Sequence, residues 1–469
     1  MKRRLALLFM PLMLAGCAAV GPDYHVPPKA AINASTAQGA FREARARTSG
    51  DPLPARWWHL YDDPVLDRLE EQALAANTDL RTAAAHLAQA GSVTAVAEGA
   101  KEVEFGASLG VQRARLSAES YLKDETLPVF NLGSASATMS YQVDLFGRIR
   151  RSVEAAKADE EASEATLGAV GVTVAAQVAR AYVAQCSASE AQGLLQQQVA
   201  RQEEALSAVR RLAQAGRLPQ GDVTRMELRL AQAQAALAPQ QARSRAALYQ
   251  LAYLLGRAPA DYPREAETCH AIPQLRQALP TGDGAALLRR RPDIRAAERQ
   301  LAAATARIGV ATADLYPQIG LGLSGGSIGL LQDLGQGVAN MWSLGSLIRW
   351  NIPSGGARAK VQVARAGADV ALARFDGVVL AALRETETAL STYAQDHERH
   401  AALQRAMAAA DLSLQETVTL RRAGKAPLLA DLGEQQNALM ARSAEQSARE
   451  NLAQDQINLF LALGGGWQN

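Results

Sequence analysis

The sequence predicts a mixed α and β membrane protein with an internal two-fold repeat. Its strands are too few to close a barrel within one chain. Three observations predict this. The 469-residue chain runs through the same series of elements twice, from about Leu80 to Leu255 and from about Ile294 to Leu463. Four short segments alternate apolar and polar residues. Helical patterning also continues far beyond the about 11–12 residues of a mean globular helix.

The N-terminus reads as an address. Lys2, Arg3 and Arg4 form a positive region, and Leu5 to Leu14 is apolar but too short to span a bilayer. Leu14-Ala15-Gly16-Cys17 then matches the bacterial lipobox. This predicts a signal peptide over 1–16, lipid attachment at Cys17 and a linker over 17–60. Ala18, rather than an acid, follows the cysteine, as in lipoproteins sorted to the outer membrane. The first repeat is expected over 61–280 and the second over 281–469. No later run of 18 uninterrupted apolar residues occurs, so no transmembrane helix is expected.

Strands are expected at about 103–115, 132–145, 317–326 and 340–352. Phe105, Ala107, Leu109 and Val111 alternate with Gly106, Ser108, Gly110 and Gln112. Ala135 to Leu145 and Ile319 to Leu323 do the same. In the last segment Trp342, Leu344, Ile348, Trp350 and Ile352 share a face, although Ser346 and Leu347 break the pattern. An apolar face opposite a small, polar one suits a strand with lipid on one side and water on the other. Known single-chain barrels need at least about eight strands, and open edges are not tolerated in lipid. Several chains must therefore share one barrel, and three copies would supply twelve strands. A soluble sheet with one wet face alternates in the same way; the lipobox favours the barrel.

Helices are expected at about 64–98, 149–215, 222–255, 284–314, 357–422 and 427–463. A 65-residue helix is about 100 Å long, which suits a span of the periplasm. Leu195, Val199, Gln202, Leu206, Val209 and Leu212 mark a packing seam. The breaks at Gly216 and Pro219 and at Gly424 and Pro427 read as the turns of two hairpins, glycine ending one helix and proline preceding the next. Acids follow each turn: Asp222 in the first, Asp431 and Glu434 in the second.

These residues resemble the TolC-type outer-membrane efflux proteins, in particular the NodT-like lipoprotein branch. The resemblance rests on Gly21-Pro22-Asp23-Tyr24, on WWHLYDDPVL from Trp57 to Leu66, and on Asn77-Thr78-Asp79-Leu80. It rests most on RRPDIRAAERQLAAATARIGVATADLYPQI from Arg290 to Ile319. Asp144-Leu145-Phe146-Gly147 and Trp350-Asn351-Ile352-Pro353 also match. The resemblance implies a homotrimer with a twelve-stranded outer-membrane β-barrel continuous with a long periplasmic α-helical barrel. It implies a periplasmic adaptor (membrane fusion) protein and an inner-membrane RND or similar pump as partners. It also implies passive export of drugs or other small toxic compounds. Acids behind the second hairpin's glycine ring the aperture in that family, which makes Asp431 and Glu434 the nearest candidates here. An acid–base latch between Arg421 and Asp222 is a further expectation. Helix N-terminal capping would place acids at the same positions. The duct of a type I protein secretion system, or a non-conducting structural lipoprotein, is the alternative.

Other chemistry is not supported. A net charge of +2 without a basic block gives no case for nucleic acid. Gly320 to Gly325 spells G-x-G-x-x-G, but it lies in an alternating segment with no helix after it. Asp396, His397 and His400 read as a solvated helix face, so no metal, cofactor or enzymatic site is expected. Cys186 reads as a buried or seam thiol and Cys269 lies in an irregular stretch. Their spacing alone does not decide a bond between them.

Overall fold

Hydrogen-bonded strand pairing and very long helices dominate the architecture. The computed structural model describes residues 19–44, 48–122, 124–352 and 355–466. The main elements are α1 (Pro64–Ala76), α2 (Thr78–Gly99), β1 (Glu104–Arg115), β2 (Val129–Val143), α3 (Arg148–Gln214) and α4 (Gln220–Leu254). There follow α5 (Gly284–Arg290), α6 (Pro292–Ala313), β3 (Gln318–Leu330), β4 (Asn340–Arg349), α7 (Gly355–Arg422) and α8 (Leu428–Ala462). The chain divides into two compact units, one of Met1–Pro27, His86–Ser163 and Ala296–Phe375, the other of the remaining segments. Each unit draws on both halves of the sequence, so neither coincides with 61–280 or 281–469.

In the first unit, β1 to β4 form one antiparallel sheet in chain order. β2 begins earlier and ends earlier than the alternation suggested. Asp144, expected within the strand, instead accepts from the backbone N–H groups of Ile149 (2.9 Å) and Arg150 (2.8 Å), which are orphan donors at the start of α3. β4 ends at Arg349, and Trp350 donates from Nε1 to the Leu315 carbonyl at 3.1 Å. Ser346 and Leu347 do not interrupt pairing, since they stand opposite Leu321 and Gly320 in an unbroken register.

Two helices expected to be continuous are split. Asn77 separates α1 from α2 with an extended backbone. Its buried side chain accepts from the Asp79 N–H at 2.8 Å and donates to the Leu254 carbonyl at 2.9 Å. Arg291 separates α5 from α6 (φ −64°, ψ 119°), because the residue before a proline is excluded from helical geometry.

The second unit holds the main apolar core. Trp57, Trp58, Tyr61 and Phe460 are buried together, and the Trp57 and Phe460 rings stack at 4.5 Å. Asp63 caps α1 by accepting from Val65 N–H at 2.8 Å, with Pro64 at the first helical position. These contacts account for the WWHLYDDPVL motif. α3 contains a window long and apolar enough to cross a membrane by composition, but 56% of it is buried. Val174, Val178, Tyr182 and Val183 from this helix lie in the core.

The two cysteines are joined. Cys186 and Cys269 form a disulfide with Cα atoms 5.0 Å apart. Cys186 is buried as expected, but as half of a cystine and not as a thiol, which decides the bond that spacing left open. The segment after α4 folds back onto α3, a proximity that a sequence separation of 83 does not reveal.

Candidate membrane sheet and hairpin tips

In the sheet, register places apolar side chains side by side. Phe105 stands opposite Met139, Met139 opposite Leu323, and Leu323 opposite Leu344. Because side chains alternate with a period of two, these residues share one face. They are all exposed, as are Leu109, Tyr141, Leu321, Trp342 and Ile348 on that face. On the other face hydroxyls meet across strands: Ser108 and Ser136 at 2.9 Å, Ser324 and Ser343 at 2.8 Å. The outer edges of β1 and β4 have no strand partner among the described residues. A sheet with an open apolar face and two open edges leaves both apolar area and backbone hydrogen-bonding groups without a partner.

The G-x-G-x-x-G of Gly320 to Gly325 lies within β3 and opens no helix. Its own glycines have room around them; the close cross-strand approach is at the next residue. A Cβ on the following Gly326 would stand 2.3 Å from the Ala135 carbonyl oxygen.

The two helix turns in the second unit have matching geometry. Gly216 has φ +68° and Gly424 φ +72°. Arg217 donates its N–H to the Leu212 carbonyl at 2.9 Å, and Lys425 donates to that of Leu420 at 2.8 Å. This is the six-to-one bond of a left-handed helix end. Pro219 and Pro427 then occupy the position before α4 and α8 with nearly identical backbone angles. Leu206, Val209, Val223, Met226 and Leu432 pack the two hairpins together.

Two of the three acids behind these turns, Asp222 and Asp431, pair with arginines of the same chain. Asp222 is 4% exposed and pairs with Arg225. Asp431 is 1% exposed, receives Arg421 Nε at 2.5 Å and accepts from Gln435 Nε2 at 3.2 Å. Glu434 is half-buried and accepts from Ser413 Oγ at 2.9 Å. Arg421 therefore latches to Asp431 across its own hairpin, in place of the expected Asp222. The i,i+3 spacing of Asp222 and Arg225 was a readable signal for the alternative pair. Gln435 and Ser413 carried none.

The helix patch of Asp396, His397 and His400 is only partly wet. His400 Nε2 lies 3.1 Å from Glu445 Oε1, both side chains being largely buried. Among the described residues no group of three or more His, Cys, Asp or Glu is placed to hold a metal. Asp396 also neighbours Asp455, whose pKa is pushed up to about 7 by burial and then by this carboxyl. Cys17 lies outside the described residues.

Comparison with known proteins agrees with this geometry. The family model described as outer membrane efflux protein matches residues 69–257 and 285–465. Nodulation protein T of Rhizobium leguminosarum bv. trifolii is 28% identical, with 98% of this chain and 96% of the relative covered. The toluene efflux pump outer membrane protein TtgF of Pseudomonas putida is 30% identical, covering 100% of this chain and 98% of the relative. The solved structure of the outer-membrane channel OprN is 33% identical with a TM-score of 0.85, covering 96% of this chain and 100% of that one.

Proposed function

The chain belongs to the outer membrane efflux protein family, and from that premise we propose how its parts conduct. It is an outer-membrane channel of a tripartite efflux system. In our reading the protein is a homotrimer in which the open edge of β4 in one copy pairs with β1 of the next. Twelve strands then close a barrel, the exposed Phe105–Met139–Leu323–Leu344 face meets lipid, and the hydroxyl face lines the lumen. The observation that carries this reading is that apolar face between two unpaired edges. Closure removes both liabilities at once. The two segments matched by one family model support an internal two-fold repeat.

The long helices of three copies would line a periplasmic tunnel, with Cys17 lipidated at the outer membrane. A periplasmic adaptor and an inner-membrane RND or similar pump complete the assembly, and small molecules are the cargo. The duct is passive: no chemical step is assigned to any residue. Asp222, Asp431, Glu434 and Arg421 are the gate candidates at the hairpin tips. Their in-chain pairing means that opening the gate to cations requires breaking Arg421–Asp431, which would free a carboxylate to attract them.

The test is single-channel recording of the purified protein in planar bilayers. Discrete ion currents are expected, with charge reversal at Asp431 or Arg421 changing conductance. Absence of any current from well-folded oligomers would sink the duct reading. Unchanged conductance and drug tolerance in the charge-reversed proteins would overturn the gate assignment alone.

A further inference from the structure

The stretch after Cys17 is docked into a built receptor in the first unit. Val20 donates its N–H to the Phe146 carbonyl at 3.1 Å. Arg151, on α3, is 5% exposed in its side chain, whereas Asp23 is 79% exposed. Arg151 donates from Nε to the Val20 carbonyl (3.2 Å) and from Nη2 to the Gly21 carbonyl (3.3 Å) and Asp23 Oδ1 (2.7 Å). Its Nη1 is held by Glu154 at 2.7 Å. The guanidinium thus belongs to the helix, and residues 20–23 cover it. Tyr24 extends the contact, its hydroxyl 3.3 Å from Glu298 Oε1 and its ring 5.5 Å from the Arg299 guanidinium carbon.

Glycines on three segments make the room. A Cβ on Gly21, which has φ +91°, would stand 2.5 Å from Gly309 Cα. One on Gly309 would meet Arg151 Cγ at 2.7 Å, and one on Gly147 would meet Ala19 Cβ at 2.4 Å. At Gly21 the approach is backbone to backbone, and at Gly309 and Gly147 a side chain would displace Arg151 or Ala19. A tether that only had to reach a membrane would need none of this, since flexible linkers are satisfied by water.

We propose that the groove between the start of α3 and α6 is a mooring site for the anchor peptide Ala19–Tyr24, with Arg151 as its positioning residue. Cys17 precedes Ala19 by two residues, which span at most about 7 Å. Docking at Phe146 and Gly147, just past the end of β2, therefore places any lipid on Cys17 at the foot of the sheet. The anchor then sets the depth of the strands in the bilayer as well as retaining the chain. This rests on the reading that the sheet lies in the outer membrane.

The experiment is hydrogen exchange by mass spectrometry on the full lipidated protein in lipid nanodiscs, with single-channel recording in parallel. Residues 19–24 are expected to be protected in the wild type. Arg151→Met should raise their exchange tenfold or more while strand amides stay protected. Asp23→Asn, at an exposed position, should give an intermediate rise and guards against misfolding of the first variant. Exchange of 19–24 at free-peptide rates in the wild type overturns the mooring, as does unchanged protection in both variants. A protein that conducts with an unprotected segment overturns the mooring alone. One that is protected but conducts nothing overturns the duct reading alone.

Discussion

The disulfide offers the sharpest quantitative test. Cys186 lies in the core on α3, and Cys269 lies in the irregular segment after α4. Replacing both with alanine removes a cross-link that closes a loop of 83 residues. In the chain-entropy model such a loop restricts the unfolded ensemble by about 4.5 kcal/mol at 25 °C. With a urea dependence of about 3 kcal/mol/M, the unfolding midpoint should fall by about 1.5 M. The assay is urea unfolding followed by far-UV circular dichroism, comparing oxidised wild type, reduced wild type and the double alanine variant. The last two should coincide, and both should be cleaved faster by protease within residues 256–280. Alkylation before reduction should label neither cysteine in protein from an oxidising compartment. Labelling of both, or identical midpoints with and without reductant, would refute the reasoning.

Three further perturbations test side chains. Asp455 has its folded pKa raised to about 7, so its contribution is fully present below the unfolded value and is lost as pH rises through 7. The wild-type unfolding midpoint should fall between pH 5 and 8, and Asp455→Asn, which can donate to Asp396, should flatten that fall; an equal slope in both proteins contradicts it. Glu70 is fully buried with neither carboxyl oxygen bonded, and burial holds its pKa well above the ordinary range. Its contribution too is lost with rising pH, so Glu70→Gln should be the more stable protein at alkaline pH, with the difference shrinking toward pH 4 in thermal melts. Arg291 is buried and bonds Asp293 (2.6 Å), Glu385 (3.1 Å) and the Ala462 carbonyl (2.9 Å). Arg291→Met should cost about 1–3 kcal/mol in chemical denaturation, because it leaves the Ala462 carbonyl unbonded and two part-exposed carboxylates without their cation.

Much of the architecture was legible because its signals are local. Phe105 to Val111 alternate with a period of two whatever they pack against, and Gly216 and Gly424 end helices because a left-handed residue is needed there. Boundaries were less legible. Asp144 continues the alternation by type, yet its carboxylate caps α3. Asn77 and Arg291 divide helices whose apolar pattern runs on, one through a buried amide and the other through the proline that follows it.

The candidate site divides along the same line. The tip residues could be named from turn chemistry, but not their partners, and Arg421 reaches Asp431 instead of Asp222. Nothing in the local pattern sets Arg151 or Arg291 apart from other arginines, and the spacing of Cys186 and Cys269 left their bond open. By itself the sequence determined the element types, the apolar face of the strands, the helix turns and the family. Only the tertiary structure decided which charges are paired, which cysteines are joined and where the segment after Cys17 docks. The physical reason is range: periodicity and turn preference act between residues a few positions apart. A hydrogen bond, ion pair or disulfide depends on distances between segments that can be hundreds of residues apart in the chain, and no local pattern encodes those distances.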